Sequence, residues 1–118
     1  MSAPLSPPTP SRELPLVLAR DCDAARPVIH AAGDIDVATS PLLRAALSAL
    51  IDDAPSVVTL DLTEVAFVDS SGLGVLVGAL MRMRATDPAS QLLVVGAREP
   101  VRKVFDVTGL DELFFSQV

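Results

Sequence analysis

Val65-Ala66-Phe67-Val68-Asp69-Ser70-Ser71-Gly72-Leu73-Gly74-Val75-Leu76-Val77-Gly78-Ala79-Leu80 is the stretch that decides how this chain folds. It reads as a buried strand, a sharp turn carrying Asp69, Ser70 and Ser71, and then a helix. The turn sets two hydroxyls at a helix N-terminus, where free backbone N–H groups and the helix dipole favour negative charge. The helix is expected to run to about Arg84, with Leu73, Leu76, Val77, Leu80 and Met83 on its buried side, and Thr86, Asp87 and Pro88 ending it. Gly72 and Gly74 each lower helix stability by roughly 1 kcal/mol relative to alanine. A reason for them is low relief, which lets another protein's active site approach the serines. Gly74 and Gly78, four apart on one face, also permit close packing.

Upstream, Val57–Leu62 (VVTLDL) is a strand with Val58, Leu60 and Leu62 on one face and Val57, Thr59 and Asp61 on the other. The first face is apolar and the second mixed, so helices are expected to cover the sheet unequally. Thr63 to Val68 is expected to be an irregular approach to Asp69. Further upstream, Asp34–Ser40 (DIDVATS) is a loop ending in Thr39 and Ser40 before Pro41. A capping hydroxyl followed by proline in the first turn starts a helix. That helix runs to about Asp52, with Leu42, Leu43, Ala46, Leu47, Leu50 and Ile51 forming one stripe. Pro27–Gly33 is a strand holding the only histidine, His30, which reads as a polar face position. Leu14–Ala19 is the first strand, and Pro15 suits it to an edge. The loop between these strands carries Cys22, an incidental thiol.

Downstream, Leu92–Val95 has the continuous apolar pattern of a central strand covered on both faces. Glu99 and Pro100 open a final helix with Val101, Val104 and Phe105 inward and Gly109 as its terminating glycine. Leu113–Phe115 is expected to be a short last strand. The order ββαβαβαβ predicts an α/β fold: a mixed, mainly parallel sheet with crossover helices, its first two strands antiparallel. Met1–Glu13, with four prolines, reads as a flexible tail, leaving residues 14–118 as one domain.

Half of the 118 residues are hydrophobic, enough for a real core. The net charge of −6 argues against nucleic-acid binding through phosphate neutralisation, and against anionic membrane surfaces. Without tryptophan or tyrosine the chain also lacks base-stacking platforms of those types. One cysteine allows no internal disulfide and no cysteine metal cluster, and no metal or cofactor is expected. No signal-peptide pattern opens the chain. The longest apolar stretch, Gly72–Met81, is too short to span a bilayer. A soluble, cytoplasmic protein is the expectation.

The serine turn fits no enzyme motif. A nucleophile elbow needs Gly-x-Ser-x-Gly, and neither Ser70 nor Ser71 has glycine two places before it. A phosphate-binding P-loop needs a lysine next to its last glycine, but the only lysine is Lys103. Catalytic residues are therefore not expected. Two readings stay open on physical grounds. The serines are caps, or one is a modification site whose phosphate, carrying about −1.5 to −2 charges, gains ~0.3–1 kcal/mol from the helix dipole.

Asp69-Ser70-Ser71-Gly72-Leu73-Gly74-Val75-Leu76 resembles the signature of STAS domains, specifically the bacterial anti-sigma factor antagonists. Gly33-Asp34-Ile35-Asp36, followed by Ala38-Thr39 and Pro41, resembles that family's G-E-[IL]-D-x-x-[ST] segment, with Asp34 in place of the usual glutamate. The order of elements matches over nearly everything but the tail. The resemblance implies a phosphorylation-controlled binding module, not an enzyme. An anti-sigma factor that is itself an ATP-dependent serine kinase phosphorylates the second serine, here Ser71. The unphosphorylated antagonist binds that kinase and frees a sigma factor; phosphorylation abolishes binding, and a phosphatase restores it. Asp36 matches the family's aspartate near the phosphorylation site, and Asp69 the residue before the serine pair. Ser70, Gly72, Leu73, Gly74 and Thr39 are expected to support the phosphosite or the partner contact, with Ser70 as the cap. Asp36 and Asp69 would make a phosphate on Ser71 electrostatically unfavourable, so the new charge acts chiefly on the partner. The alternative implied is a STAS scaffold or transporter-associated subunit that does not act on a sigma factor.

Overall fold

The structure, a computed structural model, describes residues 16–21 and 25–115. The expected tail, the first two residues of the first strand and Cys22 lie outside the described residues. The elements are β1 (Leu16–Arg20), β2 (Val28–Ile35), α1 (Ser40–Ile51), β3 (Val57–Val68), α2 (Ser70–Thr86), β4 (Gln91–Val95), α3 (Glu99–Thr108) and α4 (Asp111–Phe114). The sheet order is β1-β2-β3-β4. β1 pairs antiparallel with β2, and the other two pairings are parallel. The mixed α/β sheet with crossover helices is the fold expected from the sequence.

Both parallel steps move one strand in the same direction, so right-handed crossovers put α1 and α2 on the same face. That face is the core. Ile29, Ala31, Val58, Leu60, Leu62, Leu92 and Val94 from the strands pack with Leu43, Leu47, Leu50, Leu76 and Phe105 from the helices. On the opposite face Val57, Thr59, Asp61 and Leu93 are only half-buried, and His30 and Val95 are exposed. The mixed outer face of VVTLDL foretold this unequal cover.

Three local expectations are corrected. β3 continues to Val68 instead of turning irregular after Leu62. Register shifts between His30 and Ala32 and between Gly33 and Asp34 let the longer strand stay paired with β2. These irregularities break the period-two alternation, which is why the buried strand running into Asp69 does not read as a continuation of VVTLDL. β4 is not central: past it lies only an isolated bridge between Val94 and Phe115 among the described residues. The short last strand becomes the helical turn α4 followed by that bridge. A strand would send Phe114 and Phe115 to opposite faces. The turn instead sets both against Phe105, at ring-centroid distances of 6.1 and 4.9 Å.

Candidate functional site

β2 and β3 end side by side, Ile35 opposite Val68. The Asp69 amide donates to the Ile35 carbonyl at 3.1 Å. The loop from β2 into α1 and the turn from β3 into α2 therefore adjoin at the carboxyl edge of the sheet, where open α/β sheets place ligands.

Asp69 is the N-cap of α2, in extended backbone geometry. Its Oδ1 accepts from the Ser71 amide at 2.9 Å, the Gly72 amide at 3.3 Å and the Ser71 hydroxyl at 2.5 Å. The cap is thus Asp69 and not Ser70. A capping side chain must reach back-facing amides at the second and third helical positions, and Ser70 is already the first helical residue. The Ser71 hydroxyl is the main cause holding the Asp69 carboxyl below its usual value; desolvation opposes it and the Gly72 and Ser71 amides add to it. Ser70 is exposed and Ser71 half-buried. The one hydroxyl hydrogen of Ser71 points at Asp69, which leaves the oxygen lone pairs available to an electrophile.

Asp36 is bound up in its own loop. Its Oδ1 accepts from the Ala38 and Thr39 amides, each at 3.0 Å. The Thr39 hydroxyl accepts from the Asp36 amide at 2.9 Å and donates to the Asp34 carbonyl at 2.8 Å, with Asp36 Oδ1 at 3.2 Å. Thr39 stands at the N-cap position of α1 but makes no side-chain cap. Its hydroxyl folds back to rigidify the Asp34–Asp36 turn instead.

The glycines divide by role. A Cβ on Gly72 would lie 2.6 Å from Ile35 Cγ2 and 3.3 Å from Val68 Cγ1. Gly72 therefore lets α2 sit on the ends of β2 and β3, which corrects the expectation that it provides access. Gly74 is exposed, and a Cβ there meets nothing within 4 Å. Gly74 and Gly78 do not close-pack either: both line a groove between α1 and α2. Leu73 is a buried anchor of α2.

Three exposed apolar residues were missed by the sequence reading. Val37 (75% exposed), Leu42 (52%) and Phe67 (49%) sit on the segments that converge on this corner. Leu42 falls off the expected buried stripe of α1. Alternation does not single out Phe67, because the period of two breaks between buried Leu62 and buried Val65. His30 is not brought to Ser71. Its Nδ1 lies 2.9 Å from Asp61 Oδ2, and an ionised carboxylate only accepts, so Nδ1 carries the hydrogen. Asp61 Oδ1 takes the Thr63 amide at 2.9 Å and the Thr63 hydroxyl at 2.6 Å. That hydroxyl is the main cause lowering the Asp61 carboxyl. Among the described residues no cluster of three His, Cys, Asp or Glu could hold a metal, and no helix is long and apolar enough to cross a membrane.

A family profile described as "Mlab, STAS domain" matches residues 18–115. The chain belongs to the STAS domain family. This STAS domain is 38% identical over 85 residues to an anti-sigma-B factor antagonist of Listeria monocytogenes, covering 72% of this chain and 73% of that protein. It is 31% identical to an anti-sigma-B factor antagonist of Staphylococcus aureus, covering 72% of this chain and 77% of that one. Among solved structures, an anti-sigma factor antagonist from Mycobacterium paratuberculosis matches with a TM-score of 0.74 at 30% identity, over 84% of this chain and 82% of that one. The unphosphorylated form of the anti-sigma factor antagonist SpoIIAA shares the fold, with a TM-score of 0.73 at 24% identity over 86% and 89% of the two chains.

Proposed function

We propose that this STAS domain is an anti-sigma factor antagonist whose grip on its anti-sigma factor is switched by phosphorylation of Ser71. The observation that carries the reading is the Ser71 hydroxyl held on the Asp69 cap at the carboxyl edge of the sheet. Relatives that carry the antagonist name support the binding role. The chain acts by binding and supplies no catalytic group. Its partners are an ATP-dependent serine kinase, which is the anti-sigma factor itself, and a phosphatase. Sigma factors work on RNA polymerase in the cytoplasm, so the protein acts there.

In the unmodified state Asp69 takes three donors, and Val37, Leu42 and Phe67 offer apolar area around the corner. Transfer forms a bond from Ser71 Oγ to the γ-phosphorus of ATP and breaks the bond from that phosphorus to ADP. The hydroxyl proton leaves, to the kinase or to solvent. Ser71 can then no longer donate to Asp69, and about two negative charges stand beside an ionised carboxylate. The phosphate turns outward, into whatever surface was docked there. Burying it costs desolvation energy and repels any acidic neighbour. Hydrolysis by the phosphatase restores the hydroxyl and its hydrogen bond.

The test is incubation with the cognate kinase and ATP, followed by tandem mass spectrometry and calorimetric binding. Phosphate is expected on Ser71. Ser71→Ala should bind the kinase yet take no label, and Ser71→Asp should bind at least tenfold more weakly. Label on Ser70 would overturn the residue assignment, and absence of kinase binding by the unmodified protein would overturn the function.

A further inference from the structure

A second opening lies one helical turn beyond Ser71. α1 and α2 both start at the serine edge of the sheet and pack side by side. Between them is a groove of about 320 Å³. Its walls are the apolar side chains of Leu47, Ile51, Val75 and Ala79 and the bare backbone of Gly74 and Gly78. A Cβ on either glycine would meet nothing within 4 Å. Two glycines four apart remove the side chains that ordinarily fill the space between packed helices. Each lowers helix stability by about 1 kcal/mol relative to alanine, so the fold alone would favour closing this space.

The rim is basic. Arg82 is committed to Ser48 Oγ at 2.8 Å and to Asp52 at 3.4 Å. The Arg44 side chain makes no hydrogen bond or ion pair with any described residue. From Gly74 to Arg82 the groove follows α2 for about 12 Å, the span of apolar anchors one to two turns apart on a docked segment.

We propose that this groove receives a segment of the anti-sigma factor that inserts a large apolar side chain over Gly74 and Gly78 and presents a carboxylate to Arg44. The inference rests on the function proposed above and assigns part of its interface. An apolar slot selects an apolar anchor, which is where binding energy concentrates. The Arg44 guanidinium at its mouth, without a partner among the described residues, selects a carboxylate in planar, two-point geometry. The groove opens beside the serine corner, so a partner seated over Ser71 for phosphoryl transfer also covers it. Recognition then has a contact independent of the Ser71 hydroxyl.

Gly78→Leu fills the groove from a position with free space and should leave the thermal midpoint unchanged or raised. Arg44→Glu reverses the charge at an exposed site. Calorimetry against the cognate anti-sigma factor should show each variant binding at least tenfold more weakly, with Gly78→Ala between Gly78→Leu and the unaltered chain. Wild-type affinity in both Gly78→Leu and Arg44→Glu would overturn the groove assignment while leaving the phosphoswitch intact. A wild-type chain that ignores the anti-sigma factor would overturn the function itself. Two other findings would give the groove to a different occupant and overturn the assignment: a concentration-dependent dimer that Gly78→Leu dissolves, or a small amphiphile seen by native mass spectrometry and lost in that variant.

Discussion

Asp69 with Ser71 and Asp61 with Thr63 make nearly the same local structure at two places. In each, one carboxylate oxygen accepts from the backbone amide and the hydroxyl of the residue two positions on. In each, that hydroxyl is the largest cause lowering the carboxyl. Their surroundings differ. Asp69 starts a helix at the edge of the sheet, beside exposed Ser70 and the open space at Gly74. Asp61 lies within β3, its second oxygen is paired with His30 on the neighbouring strand, and a side chain on Gly96 would collide with Thr63. An aspartate holding a hydroxyl two residues away is therefore not a switch by itself. The switch proposed at Ser71 rests on the helix terminus and the free approach around it.

The largest test of that contrast is Gly96→Ala. Gly96 has φ of +74°, and a Cβ there would collide with Thr63 Oγ1 and lie 2.8 Å from Asp61 Oδ1. Backbone strain of ~1–3 kcal/mol and crowding of a similar size should destabilise the fold by about 2–6 kcal/mol in urea denaturation. Phosphorylation of Ser71 below the denaturation midpoint should be unchanged. If labelling falls with stability, the two sites are not independent. Asp69→Ala comes next. It strands the capped amides and should cost about 1–2 kcal/mol, whereas Asp61→Ala, on an open sheet face, should cost less. Equal losses would remove the helix terminus from the explanation.

A third contrast sits within one turn of α2. Gly72→Ala drives a methyl into the rigid branch of Ile35 and should lose about 1 kcal/mol net, crowding outweighing the gain in helix propensity. Gly74→Ala meets open space and should gain up to ~1 kcal/mol. The same sign for both in thermal denaturation would mean that Gly72 is not a packing glycine.

That pair also marks the limit of what the sequence discloses. The helix from the serine turn, its proline-and-aspartate stop, the Pro100 start and the Gly109 stop were legible because each depends on local chemistry. So was the uneven cover of the sheet, carried by alternation in VVTLDL. What was not legible depends on residues distant in sequence. Gly72 and Gly74 look alike until Ile35 is placed against one of them. β3 past Leu62 hides behind shifts in its pairing with β2, and with it the exposed Phe67. The cap passed from Ser70 to Asp69 because the choice depends on which residue first adopts helical geometry, a one-residue boundary that pattern alone does not fix.

The finest test is acid titration. Both carboxyls lie below their ordinary value of 3.8 in the folded protein. A depressed folded pKa contributes stability that is fully present above the unfolded value and disappears as the pH falls through the folded one. Each site therefore loses its contribution below pH 3.8, not near neutrality. Ser71→Ala removes the main cause at Asp69 and should move that carboxyl back up toward 3.8, leaving Asp61 where it was. Thr63→Val should do the reverse. Carboxyl-carbon NMR titrations of the two variants would separate the sites one by one. If Ser71→Ala leaves Asp69 unmoved, the hydroxyl does not donate to the cap, and the hydrogen bond that phosphorylation is proposed to break does not exist in solution. If it moves Asp61 as well, the corner and the open sheet face titrate as one system, and the contrast between the two aspartates fails.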